Sequence, residues 1–201
     1  MPSTPSKTVA TSLLAWQDIA SAAQVISSVV NVTTVWAIAF MIQLARGTGA
    51  AFTAGWPTIR IEASGKASGN DTWIRLLTLQ PDIGASIVNT TLNGAVAAGA
   101  TTAVMTATTN MAIGDRLFLG HTTDVTKYEI VSIKSISGST ITFEEACTNA
   151  HDTGALVTDQ PFEQFPTLDM SLYSRVRIVI DNANSGQAIK AQVLYNTFDS
   201  F

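Results

Sequence analysis

The sequence is poor in cysteine, in long apolar runs and in the signals of export. Cys147 is the one cysteine among 201 residues, which excludes an internal disulfide and predicts synthesis in a reducing compartment. The longest unbroken apolar run, residues 35–42, is far shorter than the roughly 20 residues that a membrane-spanning helix needs. Residues 1–11 contain no apolar segment of a secretory signal. The sequence therefore predicts neither a disulfide scaffold nor a secreted or membrane protein.

Charge is also scarce. Charged residues make up 13% of the chain, against roughly 25% in ordinary soluble domains, and Thr, Ser, Ala and Gly take their place. The 11 basic residues are scattered and the net charge is -4, so we expect no direct contact with nucleic acid. A surface with so few ions suits faces that pack against neighbouring subunits. Self-assembly is the favoured interpretation, and a compact monomer with a Thr-rich surface is the alternative.

Recognisable reaction chemistry is missing as well. His121 and His151 are the two histidines, and their spacing fits no metal motif, so both are interpreted as turn residues bonded to nearby backbone. Cys147 lacks an evident activating base and is interpreted as a small apolar filler at a strand end. Glu144 and Glu145 are adjacent and would face opposite sides of a strand. We expect no catalytic residue, no cofactor and no metal.

The pattern that is present is that of β-strands. Residues 24–32 and 35–44 are rich in β-branched and aromatic side chains, and residues 35–42 are apolar on both alternations, which predicts burial on both faces or cover by a partner. Alternation and turn residues predict two hairpins, in which residues 58–64 pair with 72–80 and residues 173–180 pair with 187–195. Leu13, Trp16 and Ile19 fall near one helical face, so residues 12–23 are predicted to form a short helix.

The middle of the chain, residues 89–160, has shorter strands around glycine-rich turns. The pattern predicts five strands, at residues 101–107, 116–120, 127–133, 140–144 and 155–158, with a hairpin turn at residues 137–139. Five brief strands at this spacing favour a small β-barrel. The predicted fold class is therefore all-β. Its predicted units are an N-terminal arm and short helix (1–23), a parent β-sandwich (24–88 plus 161–201) and an inserted β-barrel lobe (89–160).

The predicted lobe resembles a module that recurs in virion proteins of tailed bacteriophages. The shared pattern is a Gly-Ala-Thr-Thr strand, an apolar-Gly-Asp turn, a Glu-Ile-Val strand, a Ser-Gly-Ser-Thr hairpin and a closing His-x-x-Gly turn. In this sequence these stand at residues 99–102, 113–115, 129–131, 137–140 and 151–154. Asp115 of the second motif can cap its turn. The resemblance covers about a third of the chain, and the flanking segments are similar to jelly-roll-like decoration domains.

The resemblance implies a non-enzymatic structural protein of the phage virion that is assembled in the bacterial cytoplasm. It implies a jelly-roll-like parent sandwich and a role as a capsid decoration (cement) protein. The expected partners are the major capsid protein and copies of the chain itself, as a homotrimer. A neck or tail component (adaptor, tube or fibre base) is the structural alternative. A carbohydrate-binding module that uses Trp56 is a further one.

Candidate partner contacts lie near both ends of the chain and in one loop. Trp36 and Trp73 fall inside strand patterns and are predicted to belong to the core, whereas Trp56, in a Gly-Trp-Pro loop, is a candidate anchor against a partner. The N-terminal arm is a candidate for strand addition across a subunit boundary. The C-terminal tail either folds back onto its own sheet or docks in a neighbour's groove. The candidates from the two ends are Pro2, Pro5, Lys7, Phe198 and Phe201.

Overall fold

The computed structural model describes residues 8–48, 50, 52, 55–69, 73–80, 87–159 and 162–199. These residues form β-strands and one short 3₁₀ helix, Val125–Lys127. None of the described residues belongs to a helix long and apolar enough to cross a membrane. The strands are, in chain order, β1 Thr11–Ile19, β2 Gln24–Ile26, β3 Val30–Asn31, β4 Val35–Arg46, β5 Thr58–Ser64, β6 Ile74–Leu79, β7 Asn89–Thr91, β8 Thr102–Val104, β9 Arg116–Leu119, β10 Glu129–Ser137, β11 Thr140–Phe143, β12 Leu156–Asp159, β13 Phe162–Gln164, β14 Thr167–Asp169, β15 Arg175–Asp181 and β16 Ile189–Asp199.

Two antiparallel sheets pack into a sandwich, which confirms the predicted all-β class. The first, named here the β4 sheet, has the order β1-β16-β4, and β13 and β14 pair with successive parts of β4. The second, the β15 sheet, has the order β15-β5-β6, and β2 and β3 pair with the free side of β15. Alternating residues of both sheets form one apolar core. Its fully buried side chains include Ile38, Phe40, Ile42, Ile59, Ile61, Ile178 and Ile180.

The first predicted hairpin is confirmed, because β5 and β6 pair antiparallel over Ile59–Leu79 to Ala63–Ile74. The second is wrong. β15 pairs with β5 in one sheet, whereas β16 pairs with β1 and β4 in the other. The turn between β15 and β16 therefore connects the two sheets, and the Asn182 side chain fixes the conformation of this turn. The buried Asn182 side chain donates to the carbonyls of Ile19, Ala20 and Gln187 at 3.3, 2.9 and 2.8 Å.

The short helix predicted for residues 12–23 is also wrong, because Thr11–Ile19 is the edge strand β1. Leu13, Trp16 and Ile19 are its buried residues, three positions apart. A regular strand would bury every second residue. The pairing of β1 with β16 shifts register between Ser12 and Leu14 and again between Leu14 and Gln17. Leu13 and Ile19 pack into the sandwich core, whereas Trp16 packs against the lobe. Burial on both faces of this irregular strand gives the three-residue spacing that imitates a helical face.

Six strands between Asn89 and Asp159 form the third sheet, in the order β7-β12-β9-β10-β11-β8. All five strands predicted in this segment are present, and the sequence missed β7. The sheet closes on itself through a bridge between Leu92 and Met105, beside which Thr106 N donates to Thr91 O at 2.9 Å. This closed six-stranded unit is named the lobe. Its core is formed by side chains from five of the six strands, β8 to β12, among them Leu117, Ile133, Ile141, Phe143 and Val157.

Local turn chemistry in the lobe follows the sequence. β10 and β11 are joined by the two-residue turn Gly138-Ser139, with Ser137 paired to Thr140. Gly138 has a φ of 60°, a conformation that glycine adopts without steric cost. The Asp115 carboxylate accepts the Ala112 N–H at 2.7 Å and caps its turn, as predicted. The division of the chain into three units stays a prediction.

Two of the four tryptophans lie outside the core that the strand pattern predicted for them. Trp36 is 50% exposed, at the bulge where β4 shifts register against β16 near Asp199. Trp73 precedes β6, is partly buried, and lies under the guanidinium groups of Arg177 and Arg175 at 4.2 and 5.1 Å from its ring centre. Neither side chain packs in the core: Trp36 is exposed at the bulge, and Trp73 makes cation–π contacts on the sheet surface.

Candidate functional site

The outward face of the β4 sheet is unusually apolar. Strand alternation and the register of β4 against β16 place ten side chains on this face, opposite the sandwich core. Only one of the ten, Lys190, is charged. The ten are Ala37, Ala39, Met41, Gln43 and Ala45 from β4, and Lys190, Gln192, Leu194, Asn196 and Phe198 from β16.

The lobe covers one end of this face through an aromatic cluster. Trp16 of β1 meets Phe118 and Tyr128 of the lobe edge-on, with ring centroids 5.5 and 6.1 Å apart, and Ala45 packs beside them. Lys190 Nζ extends over the Tyr128 ring at 4.9 Å and donates to Asp18 at 2.5 Å. Buried aromatic contacts of this kind fix the position of the lobe on the sheet.

A charged contact supports the same junction. The Arg116 guanidinium of the lobe pairs with the Glu163 carboxylate of β13. Glu163 also accepts a hydrogen bond from Gln43 Nε2 at 2.6 Å. The lobe therefore rests on the β4 sheet through both apolar and ionic contacts.

The other end of the face is covered by none of the residues that the structure describes, and it forms a groove of about 260 Å³. Phe165, at its rim, is 63% exposed. None of the side chains that line the groove is charged. This surface, named the apolar groove, is lined on its outward side by Ala39, Met41, Phe165, Thr167, Leu194 and Asn196.

The outward face of the β15 sheet has the opposite character. Glu62 accepts two hydrogen bonds from Arg177, at 2.9 and 2.7 Å, and Arg60 pairs with Asp181 at 3.3 Å. Trp73 lies under the Arg177 guanidinium. Charged groups that are paired with one another and still reach solvent need no partner protein. Of the two outward faces, the β4 sheet is the one suited to docking.

The predicted contact residues divide between the groove and other places. Phe198 belongs to β16, is half-buried, and pairs with Ala37 at the uncovered end of the face. The tail up to Asp199 thus lies in its own sheet, the first of the two alternatives. Trp56 does not line the groove. It is half-buried and contacts Phe52 edge-on at 5.5 Å.

The remaining candidates, Pro2, Pro5, Lys7 and Phe201, lie outside the described residues. The described chain begins beside the C-terminal half of β16, where Thr8 N donates to Thr197 O at 3.1 Å and Thr197 N donates to Thr8 Oγ1 at 2.9 Å. The first and last described segments of the chain therefore lie side by side in the β4 sheet.

A polar cluster inside the lobe was not expected from the sequence. Glu129, Cys147 and His151 come from separate segments, and their ligand-type atoms all lie within 4.8 Å of one another. His151 is 2% exposed, and its Nε2 is 2.6 Å from Glu129 Oε1. Glu129 and His151 both belong to motifs of the phage module, the Glu-Ile-Val strand and the His-x-x-Gly turn. Their shared occurrence in that pattern is the signal that could have paired them.

The cluster perturbs two titrating groups. Burial would raise the pKa of Glu129, but hydrogen bonds from His151 and from the Thr148 and Asn149 amides outweigh it, so this pKa lies below its usual range. Burial, followed by the nearby Glu129 charge, raises the pKa of Cys147 to about 11. The thiol is therefore protonated and a poor nucleophile at neutral pH.

The second histidine lies in a neighbouring turn. His121 Nδ1 accepts the Asp124 and Thr123 N–H groups at 3.1 and 3.3 Å, which confirms its interpretation as a turn residue. Its Nε2 is 3.2 Å from the Asp152 carboxylate. His151 is also bonded to backbone, but its Nδ1 contacts the carbonyl of the distant Gly120 at 2.6 Å, deep inside the lobe.

No family model and no curated protein matches this sequence. Among solved structures, one likeness is to the tailspike of Acinetobacter baumannii bacteriophage AP22 in complex with an A. baumannii capsular saccharide. It is 20% identical, covers 37% of this chain and 14% of that chain, and has a TM-score of 0.34. Another is to VP17, a capsid protein of bacteriophage P23-77, at 9% identity, 98% and 100% coverage and a TM-score of 0.20. At these scores neither likeness assigns a family or a function to the chain.

Proposed function

We propose that this chain is a non-enzymatic structural protein of a tailed-bacteriophage virion and that it acts as a capsid decoration (cement) protein. The phage module motifs at residues 94–157 support the virion assignment. The observation that carries the docking role is the apolar groove, an uncharged and uncovered part of a sheet face on which the lobe already packs.

The proposed occupant of the groove is the major capsid protein. An apolar, uncharged groove complements an apolar surface and disfavours a charged one, because burying an unpaired charge is costly. The groove lies on the same face of the β4 sheet as Ala45, which packs beside Trp16, Phe118 and Tyr128. A subunit bound there would cover a part of this face that the lobe leaves open. Many weak contacts of this kind, repeated over a lattice, add up to a stable shell.

Decoration needs no reaction, and the groove contains no titrating side chain other than Tyr195. The stabilisation would come from apolar area removed from water, at roughly 25 cal/mol per Å². Exposed aromatic residues at a rim are frequent binding hot spots. Phe165, which is 63% exposed, is therefore the side chain whose loss should weaken docking most with the least harm to folding.

The test is co-sedimentation of the purified chain with shells of the same phage's major capsid protein that lack this chain. We expect the wild-type chain to bind and Phe165→Asp to reduce the affinity by about tenfold or more. Leu172→Asp is the matched control, since Leu172 is 82% exposed in a turn that does not line the groove. It introduces the same charge, and we expect it to bind as the wild type does.

Three outcomes would count against the proposal in different ways. Equal binding by both variants would exclude the groove as the docking surface. Failure of the wild-type chain to bind shells, with binding to purified tails, would favour the neck or tail role. A concentration-dependent dimer of the chain alone, abolished by Phe165→Asp in light scattering, would make a second copy the occupant. The expected homotrimer stays a prediction.

A further inference from the structure

We propose that Glu129, Cys147 and His151 form a binding site inside the lobe for one divalent transition-metal ion of the zinc class. The site is separate from the apolar groove, and it does not depend on the virion role. Its three side chains offer one oxygen, one sulfur and one nitrogen. This mixed set suits zinc or cobalt and is unsuited to calcium or magnesium, which prefer oxygen ligands alone.

The geometry brings the three donor atoms to within 4.8 Å of one another. Ligand atoms around a tetrahedral zinc ion lie roughly 3.3–3.7 Å apart, given metal–ligand distances of about 2.0–2.3 Å. The cluster is thus slightly larger than needed on one side. On the other side, His151 Nε2 and Glu129 Oε1 are 2.6 Å apart and must separate by roughly 1 Å. Small side-chain rotations achieve both adjustments.

Each ligand is already oriented by the surrounding backbone. His151 Nδ1 donates to the Gly120 carbonyl at 2.6 Å, which directs Nε2 into the cluster. Metal-binding histidines are usually fixed by such a bond from the second ring nitrogen. The Glu129 carboxylate accepts the Thr148 and Asn149 amides at 2.8 and 3.1 Å. Both residues therefore have the supporting shell that a metal site requires.

The backbone around the ligands is equally constrained. His151 exchanges two backbone hydrogen bonds with Val96, at 2.8 and 2.9 Å. Cys147 N donates to Ala100 O at 2.8 Å, and Cys147 O accepts from Gly99 N at 2.7 Å. Glu129 pairs with Leu119 at the start of β10. Closure of the barrel thus holds ligands from three segments in one place.

The donor set also offsets the charge of the ion. Glu129 supplies a carboxylate and Cys147 supplies a thiolate when it binds a metal, so two anionic ligands face one divalent cation. A bound ion would therefore leave no unbalanced charge inside the lobe.

The cluster reaches the lobe surface at Glu129, which is half-buried. Glu129, Ala146 and Thr148 line a polar groove of about 280 Å³ on the lobe surface. Water in this groove can supply the fourth ligand, and the ion can enter through it. Three protein ligands with one position left for water form a recognised zinc arrangement.

The test is titration of the reduced, full-length chain with Co²⁺ and then Zn²⁺. We expect one ion per chain, a thiolate-to-cobalt charge-transfer band, its loss when zinc replaces cobalt, and release of the Cys147 thiol proton. Because this proton must leave, the apparent affinity should rise with pH. Bound zinc should also slow alkylation of Cys147 by iodoacetamide.

Cys147→Ser should remove the charge-transfer band, and His151→Gln should lower affinity by at least about tenfold. The matched control is His121→Asn, which removes the other histidine and keeps an acceptor for the Asp124 N–H; it should bind cobalt as the wild type does. Circular dichroism checks that each variant is folded. If a variant is unfolded, the band and proton count of the wild type decide alone. No band and no proton release up to millimolar metal, or equal losses in His151→Gln and His121→Asn, would overturn the site.

Discussion

The aromatic junction between lobe and sheet gives the most direct test of the fold. Trp16 is 7% exposed and contacts Phe118 and Tyr128 edge-on. Trp16→Ala removes both contacts and leaves a cavity. Truncation of a buried aromatic side chain costs about 3–5 kcal/mol. Roughly 1–3 kcal/mol of this belongs to the two ring pairs, at about 0.5–1.5 kcal/mol each.

Trp36→Ala is the matched control, since it deletes the same atoms at a position that is 50% exposed. We expect it to cost about 1 kcal/mol. For a chain of this length each kcal/mol shifts the melting temperature by about 2–4 °C. Trp16→Ala should therefore melt about 6–20 °C below the wild type, and Trp36→Ala only a few degrees below it.

Differential scanning calorimetry, with urea unfolding at 25 °C as a second measure, distinguishes the two variants. Because Trp16 joins two separate cores, its loss should also make the transition less cooperative, with a van't Hoff enthalpy below the calorimetric one. Equal destabilisation by both substitutions would refute the reasoning. A change below about 1 kcal/mol for Trp16→Ala would do the same, since it would mean that the lobe does not pack on the sheet as described.

Two further predictions concern buried polar groups. Asn182→Ala should cost at least about 2 kcal/mol in urea unfolding, because it removes a buried amide that bonds the carbonyls of Ile19, Ala20 and Gln187. The exposed Asn184→Ala should cost under about 0.5 kcal/mol, and similar values for both would contradict the role of Asn182. The lowered pKa of Glu129 means that its ionised form stabilises the fold fully above pH 4.5, its ordinary value, and that this stability is lost as the pH falls through the lower folded pKa. The free energy of unfolding, measured against pH, should therefore decline less steeply in acid for Glu129→Gln than for the wild type. The exposed control Glu145→Gln should follow the wild type. Parallel curves for all three proteins would argue against the His151–Glu129 contact.

Five of the six lobe strands and the β5–β6 hairpin could be predicted because their signals are local. Apolar and β-branched residues form short runs in these segments, and glycines mark several of the turns between them. Gly138 and Asp115 shape their turns through bonds to residues within a few positions. Interactions at such short range are fully contained in a sequence window.

The errors arise where the determining contact is distant or irregular. β1 imitates a helix because Leu13 and Ile19 are buried in the sandwich core and Trp16 is buried under the lobe, which gives a period of three. The strands β15 and β16 were recognised as strands and assigned to one hairpin. Which sheet each one joins depends on Asn182 and its bonds to residues more than 160 positions away. Alternation alone carries no information about that choice.

The candidate site was predictable only in its pieces. Cys147 and His151 are four positions apart in the sequence, and the Glu-Ile-Val motif is predicted to be a strand. Glu129 meets them because the barrel closes and His151 bridges to Val96, more than 50 positions earlier. Residues 35–42 are apolar on both alternations, so an apolar outward face could be anticipated from the sequence. The place of the groove on that face follows only from the pairing of β4 with β16.

The pairing of β7 with β12 has a consequence for how such a chain can change over evolution. Asn89 lies opposite Thr158, so the lobe begins and ends within one strand spacing of about 4.8 Å. If the residues between these two positions were deleted, a tight turn could join the ends. A different domain whose termini are equally close could also be inserted there. The sandwich would keep its strand order through such an exchange. Only the surface around Trp16, on which the new domain would pack, would need to change.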